Sequence, residues 1–165
     1  MDIDEPGWPL IDDFFASLCE GRRAETARRY ARVRHRLMSF LDTGDMTLGL
    51  GTTEVALLEA ERQFHDSGAF WALFGPDELV CCLPSFLHET WLPEGDGEAR
   101  AQISVVSRLL KSLAGRDLDW TVTRCAYWEA EAAVTEARRV VTRRPNRPEE
   151  AAMPDRFLRQ PGPEW

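Results

Sequence analysis

Apolar positions recur with helical spacing from the start of the chain. Proline suits the first position of a helix, and Trp8-Pro9 opens a segment that Gly21 closes. A second segment runs from about Ala24 to Leu41 and ends at Asp42-Thr43-Gly44. Each carries one apolar face with residues three and four apart, which predicts two amphipathic helices. The faces are Ile11, Phe14, Phe15, Leu18 and Cys19 in the first, and Tyr30, Val33, Leu37, Phe40 and Leu41 in the second.

The middle of the chain predicts shorter helices. Thr52 or Thr53 can cap a third helix, for which Val55, Leu58 and Phe64 are the inward candidates. The apolar run 70–74 predicts a short helix or turn that Gly75 ends. Pro76-Asp77-Glu78 then has the composition of a helix start, and Pro84 should kink or split the helix that follows.

Two further helices close the regular part of the sequence. One ends at Gly115, and a long final helix covers about Thr123 to Arg144. Residues 120–123 give the one hint of a strand. The apolar faces are Ala99, Ile103, Val106, Leu109, Leu110 and Leu113 in the first of these helices, and Tyr127, Ala130, Val134, Ala137 and Val141 in the second.

These elements predict an all-α fold, a single helical bundle of five to seven helices formed by residues 1–144. Residues 145–165 carry repeated prolines and few apolar side chains, so a disordered, flexible C-terminal tail is expected there. Its candidates for docking elsewhere are Phe157, Leu158 and Trp165.

Composition limits the class of protein. A chain of 165 residues with 44% hydrophobic residues suits one domain with a sizeable core. No window reaches the roughly 18 uninterrupted apolar residues of a membrane span, and the acidic N-terminus lacks the basic-then-apolar order of a signal peptide. The four cysteines show no paired spacing, which favours free thiols that pack as small buried hydrophobic side chains in a reducing compartment. We therefore expect a cytoplasmic protein with no membrane partner.

The strongest departure from this ordinary composition is the charge of the second helix. Residues 22–36 hold seven arginines and one glutamate, whereas the whole chain has a net charge of −8. Arg29, Arg32 and Arg36 lie three and four residues apart, so their guanidinium groups share one surface. Such a surface can contact several phosphates at once. Alternatively, the arginines pair with acidic residues elsewhere in the same chain or across a dimer, which requires no nucleic acid.

Part of the chain resembles a known family. The stretches 10–18, 23–30 and 37–41 are similar to the opening of the core-binding, SAM-like domain of phage integrases and tyrosine recombinases. In that family a threonine, basic residues and a tyrosine follow a short loop onto a second helix, and the domain is a helical bundle that clamps DNA. The resemblance implies that Thr26, Arg28, Arg29 and Arg32 face DNA. It covers residues 10–41 only, and because the family's catalytic domain is missing, strand exchange is excluded.

No catalytic motif stands out. Glu61 and His65 lie four residues apart, and with His88 they offer a possible metal site, although surface polar residues are the plainer interpretation. No serine lies in a glycine elbow, and Gly49-Leu50-Gly51 lacks the lysine of a phosphate-binding loop. The sequence thus predicts no catalytic residue, metal or cofactor. An aromatic cluster within residues 70–91 is expected to be core, with a partner-binding surface as its alternative.

Together these features predict a non-catalytic helical protein that binds double-stranded DNA through residues 22–36. The candidate DNA-binding residues are Thr26, Arg28, Arg29, Arg32 and Arg36. The alternative is a protein–protein interaction or homodimerisation module whose basic helix docks on an acidic surface. Arginines without acidic partners would favour DNA, and arginines held in salt bridges would favour the interaction module.

Overall fold

A computed structural model of the protein describes residues 8–115 and 118–145, and in these ranges the chain forms seven helices and no strand. The prediction of an all-α bundle of five to seven helices is confirmed. The helices are α1 (Trp8–Cys19), α2 (Ala24–Thr43), α3 (Thr52–Arg62), α4 (Ala69–Leu73), α5 (Pro76–Phe86), α6 (Asp96–Ala114) and α7 (Trp120–Arg143).

The longest helices form the centre of the bundle. α7 packs against both α5 and α6, α6 also packs against α2, and α2 packs against α1 and α4. α3 contacts α4 and lies at the periphery. Every residue of the apolar faces predicted for α2, α6 and α7 is buried, so periodicity alone identified the inner side of these three helices.

Local expectations failed at three places. Residues 120–123 form the first turn of α7 and not a strand, because the Asp119 carboxylate accepts a hydrogen bond of 2.9 Å from the Thr121 backbone N–H and caps the helix. Pro84 does not split α5, which continues past this residue and ends at Phe86. Phe64, expected to point inward, follows the end of α3 with 82% of its surface exposed.

The aromatic cluster is core, as its plainer interpretation predicted. Phe70, Trp71 and Phe86 are buried, and the ring centroids of Phe40 and Phe86 lie 5.3 Å apart. All four cysteines are free, but the expected burial holds only for Cys82, since Cys19 and Cys81 are half-buried and Cys125 is exposed. Burial raises the pKa of the Cys82 thiol to about 12, so this cysteine behaves as a small hydrophobic side chain.

The predicted tail, apart from Pro145, lies outside the described residues. None of the described helices combines the length and apolar character that crossing a membrane requires.

Candidate functional site

The arginine-rich helix meets an acidic residue of α6. Glu98 lies in the first turn of α6, where a carboxylate also interacts favourably with the helix dipole. One of its oxygens lies 2.6 Å from an Nη atom of Arg32 and 3.5 Å from Nε of Arg29, and the other lies 3.3 Å from an Nη atom of Arg36. Three of the five predicted DNA-binding side chains therefore converge on one carboxylate of the same chain.

This contact shifts the pKa values of both Glu98 and Arg32. The hydrogen bond from Arg32 is the largest influence that lowers the pKa of Glu98, and the charges of Arg32 and Arg36 add to it. The same hydrogen bond raises the pKa of Arg32. Glu98 keeps 26% of its side chain exposed and Arg32 keeps 53%, so the cluster lies at the edge of the α2–α6 contact rather than inside the core.

A buried amide continues the cluster inward. The Nε–H of Arg36 donates to Oε1 of Gln102 at 2.9 Å, and Gln102 itself is fully buried. Its Nε2 donates to the backbone carbonyls of Phe86 at 2.9 Å and Trp91 at 3.1 Å. Gln102 thus links α2 and α6 to the end of α5 and the loop that follows it.

The remaining arginines of the run divide into two groups. Arg34 forms an ion pair of 2.6 Å with Asp12 of α1. Arg22, Arg23 and Arg28 are exposed, and none forms an ion pair with another residue in the described ranges.

Thr26 lies on a different side of α2 from Arg28 and Arg32. It is half-buried, and its position four residues before Tyr30 and seven before Val33 places it on the inner side of α2. The structure therefore does not bring Thr26 onto one surface with Arg28 and Arg32.

Neutralising Glu98 should destabilise the protein in a pH-dependent way. Because the pKa of Glu98 in the folded protein lies below its ordinary value of 4.5, its contribution is fully present above that pH and is lost as the pH falls through the folded-state value. We expect Glu98→Gln to lower the free energy of unfolding by about 1–2 kcal/mol at pH 7, and the difference from the unmodified protein to shrink below pH 4.

Urea denaturation at pH 7 and pH 3.5 measures this difference. Glu129→Gln is the matched control, since Glu129 is exposed on α7 and has no ion pair within the described residues. A Glu98→Gln effect that is equal at both pH values would contradict the predicted ionic role.

Sequence reasoning missed a second feature, an apolar surface on α3. The uncharged residues along its outward side are all exposed. Leu57 has 53% of its surface exposed, and Phe64, just after the helix, has 82%. Leu58 is the only fully buried residue of this helix, and Val55 is half-buried. Helical spacing places four exposed residues of α3 on one side, and together with the exposed Phe64 that follows the helix we call them the α3 stripe: Thr53, Ala56, Leu57, Ala60 and Phe64.

An open acidic hollow lies on the other side of α3 from the stripe, where the helix faces the end of α2. It has a volume of about 500 Å³ and lies between the end of α2, the loop after it and α3. Asp42, Asp45 and Glu59 line it, with Val55 and Arg62. Hydrogen bonds from Thr47 lower the pKa of Asp45, so this carboxylate is ionised at neutral pH.

The guanidinium group of Arg62 is already bonded within the protein. Its Nη atoms donate to the carbonyls of Leu41 at 2.8 Å and Gly44 at 3.0 Å, and to Glu59 at 2.7 Å. Those carbonyls lie at the C-terminal end of α2, so Arg62 links α3 to the end of that helix.

A separate exposed patch lies on the first half of α7, where Val122 is 75% and Trp128 is 62% exposed. It contains the exposed Cys125.

The histidines considered as metal ligands form separate pairs. Nε2 of His65 lies 2.9 Å from Glu61, whereas Nδ1 of His88 lies 3.2 Å from the Thr90 hydroxyl. In the described part of the chain, no three histidine, cysteine, aspartate or glutamate residues are grouped so as to hold a metal ion.

Comparisons with protein-family models, with curated proteins and with solved structures find no match to this chain.

Proposed function

We propose that this chain is a non-catalytic protein-interaction module whose arginine-rich helix serves mainly to hold its own bundle together. The convergence of Arg29, Arg32 and Arg36 on Glu98 carries this proposal. A DNA phosphate would have to compete with a carboxylate that already lies within ion-pair distance of all three. The net charge of −8 also opposes the approach of a polyanion.

The α3 stripe supplies the surface that such a module needs. Contiguous exposed apolar residues on a small protein commonly mark interaction sites, and large side chains at their centre dominate the binding energy. Leu57 and Phe64 are the large residues of the stripe. Because the four cysteines are free, we place this role in a reducing compartment, the cytoplasm.

Site-specific photo-crosslinking in the native cells tests the proposal. A benzophenone amino acid at Ala60, within the stripe, should give a discrete protein adduct that disappears when Leu57 is also changed to serine. The matched site is Ala31, another exposed alanine, on the arginine-rich helix α2, which should give none. Ala60 adducts no stronger than those from Ala31 would refute the interaction module.

DNA binding is the second candidate, because Arg22, Arg23 and Arg28 are exposed and without ion pairs in the described ranges. The resemblance of residues 10–41 to recombinase core-binding domains supports the same candidate. It would be favoured over the interaction module if labelled duplex DNA bound at low salt, if Arg22/Arg23/Arg28→Ala abolished that binding, and if Ala31 gave nuclease-sensitive adducts.

A further inference from the structure

We propose that a hollow between α6 and α7 binds a small organic phosphate, a molecule that joins a phosphate group to an apolar part. The hollow has a volume of about 380 Å³, which lies in the range of small-molecule sites. Its lining consists of Arg100, Ile103, Ser104, Arg138, Val141 and Thr142. This inference goes beyond the proposed interaction function, because none of these residues belongs to α3 or to the arginine-rich helix α2.

Each of the two helices contributes one arginine to the hollow. Arg100 of α6 and Arg138 of α7 are exposed, and the side chain of neither forms an ion pair or a hydrogen bond with another described residue. Other exposed arginines in the described ranges also lack ion pairs, but these two come from different helices and line one concave space. Since a guanidinium group offers several N–H donors to phosphate oxygens at once, two of them on the two walls suit a phosphate group.

The carboxylates near these arginines along the helices are engaged elsewhere or lie at a distance. Glu98 is held by three arginines of α2, and Asp96 lies 3.9 Å from Arg144. Glu131 lies on the same side of α7 as Arg138, but it precedes Arg138 by seven residues, which is about 10 Å along the helix. The two guanidinium charges are therefore left for a bound anion, although the chain as a whole has a net charge of −8.

The other lining residues suit a phosphate ester better than a bare ion. Ser104 is half-buried, and its hydroxyl has no hydrogen-bond partner in the described part of the chain, so it can donate to a phosphate oxygen. The Thr142 hydroxyl already donates to the carbonyl of Arg138 at 2.8 Å and is left as an acceptor. Ile103 and Val141 are buried and give the hollow an apolar base, against which the organic part of the ligand can lie.

Phenyl phosphate tests the inference, because it is a small probe that carries both chemical parts. We expect it to shift the amide resonances around Ser104 and Thr142 in two-dimensional NMR spectra of the full-length protein, saturably and with an affinity that falls as salt is raised. This affinity should exceed that of inorganic phosphate at least about threefold, and benzyl alcohol at the same concentration should cause no such shifts. Arg100→Gln/Arg138→Gln should weaken binding at least about tenfold, and Ser104→Ala about threefold.

The matched control is Arg22→Gln/Arg28→Gln, which removes the same charge from two other exposed arginines without ion pairs in the described ranges and should leave the affinity unchanged. Equal losses in both double variants would show attraction by overall charge and would overturn the inference. So would shifts located away from the hollow, or no shifts at all. Labelled duplex DNA that binds through Arg100 and Arg138 while phenyl phosphate does not would assign the hollow to nucleic acid instead.

Discussion

Replacing Gln102 by methionine should lower the free energy of unfolding by about 2–4 kcal/mol. Methionine has nearly the same length and fills the same space, so the loss is one of hydrogen bonds rather than volume. The carbonyls of Phe86 and Trp91 would lose their amide donor, and the Nε–H of Arg36 would lose its acceptor. Since Gln102 is fully buried, water is not at hand to replace these partners.

Thermal denaturation followed by circular dichroism measures this effect, and a drop in Tm of about 5–15 °C is expected for a chain of this size. Gln63→Met is the matched control, because Gln63 is exposed at the end of α3 and its change should stay within about 0.5 kcal/mol. A Gln102→Met protein as stable as this control would show that the buried amide contributes nothing net to the bundle.

The fold was largely predictable because the signals that define it are local. Spacing of three and four located the buried faces of α2, α6 and α7, and glycine or proline marked several of the breaks between helices. The strand predicted at residues 120–123 was wrong because the β-prone side chains there were given more weight than Asp119, which caps α7. Phe64 was misplaced for a related reason, since an aromatic residue at helical spacing was taken as inward.

The candidate sites were much less predictable. The ion pair of Arg32 with Glu98 joins residues 66 positions apart, and nothing in either neighbourhood identifies the other. From the sequence, two alternatives therefore stayed open: the arginines pair with acidic residues of the same chain, or they bind DNA phosphates. The α3 stripe did have a local signal in the sequence, because one side of the helix carries no charged residue. An uncharged side is usually buried, however, and whether it is exposed depends on the packing of the whole bundle.

Two adjacent leucines of α3 should separate stability from binding. Leu58 is fully buried and, with half-buried Val55, gives α3 its apolar anchor on the bundle, whereas Leu57 is 53% exposed. Leu58→Ala should cost about 2–4 kcal/mol, because it removes buried methyl groups and leaves a cavity. Leu57→Ala should change the free energy of unfolding by less than about 0.5 kcal/mol.

Hydrogen exchange should show where the Leu58→Ala loss falls. α3 contacts α4 and has little other packing, so its amides should lose protection first, while those of α6 and α7 keep theirs until global unfolding. The Ala60 photo-adduct should respond in the opposite order: Leu57→Ala weakens it, and Leu58→Ala weakens it only as far as α3 opens. Equal effects of the two substitutions on stability would contradict the inward and outward sides assigned to α3, and with them the stripe itself.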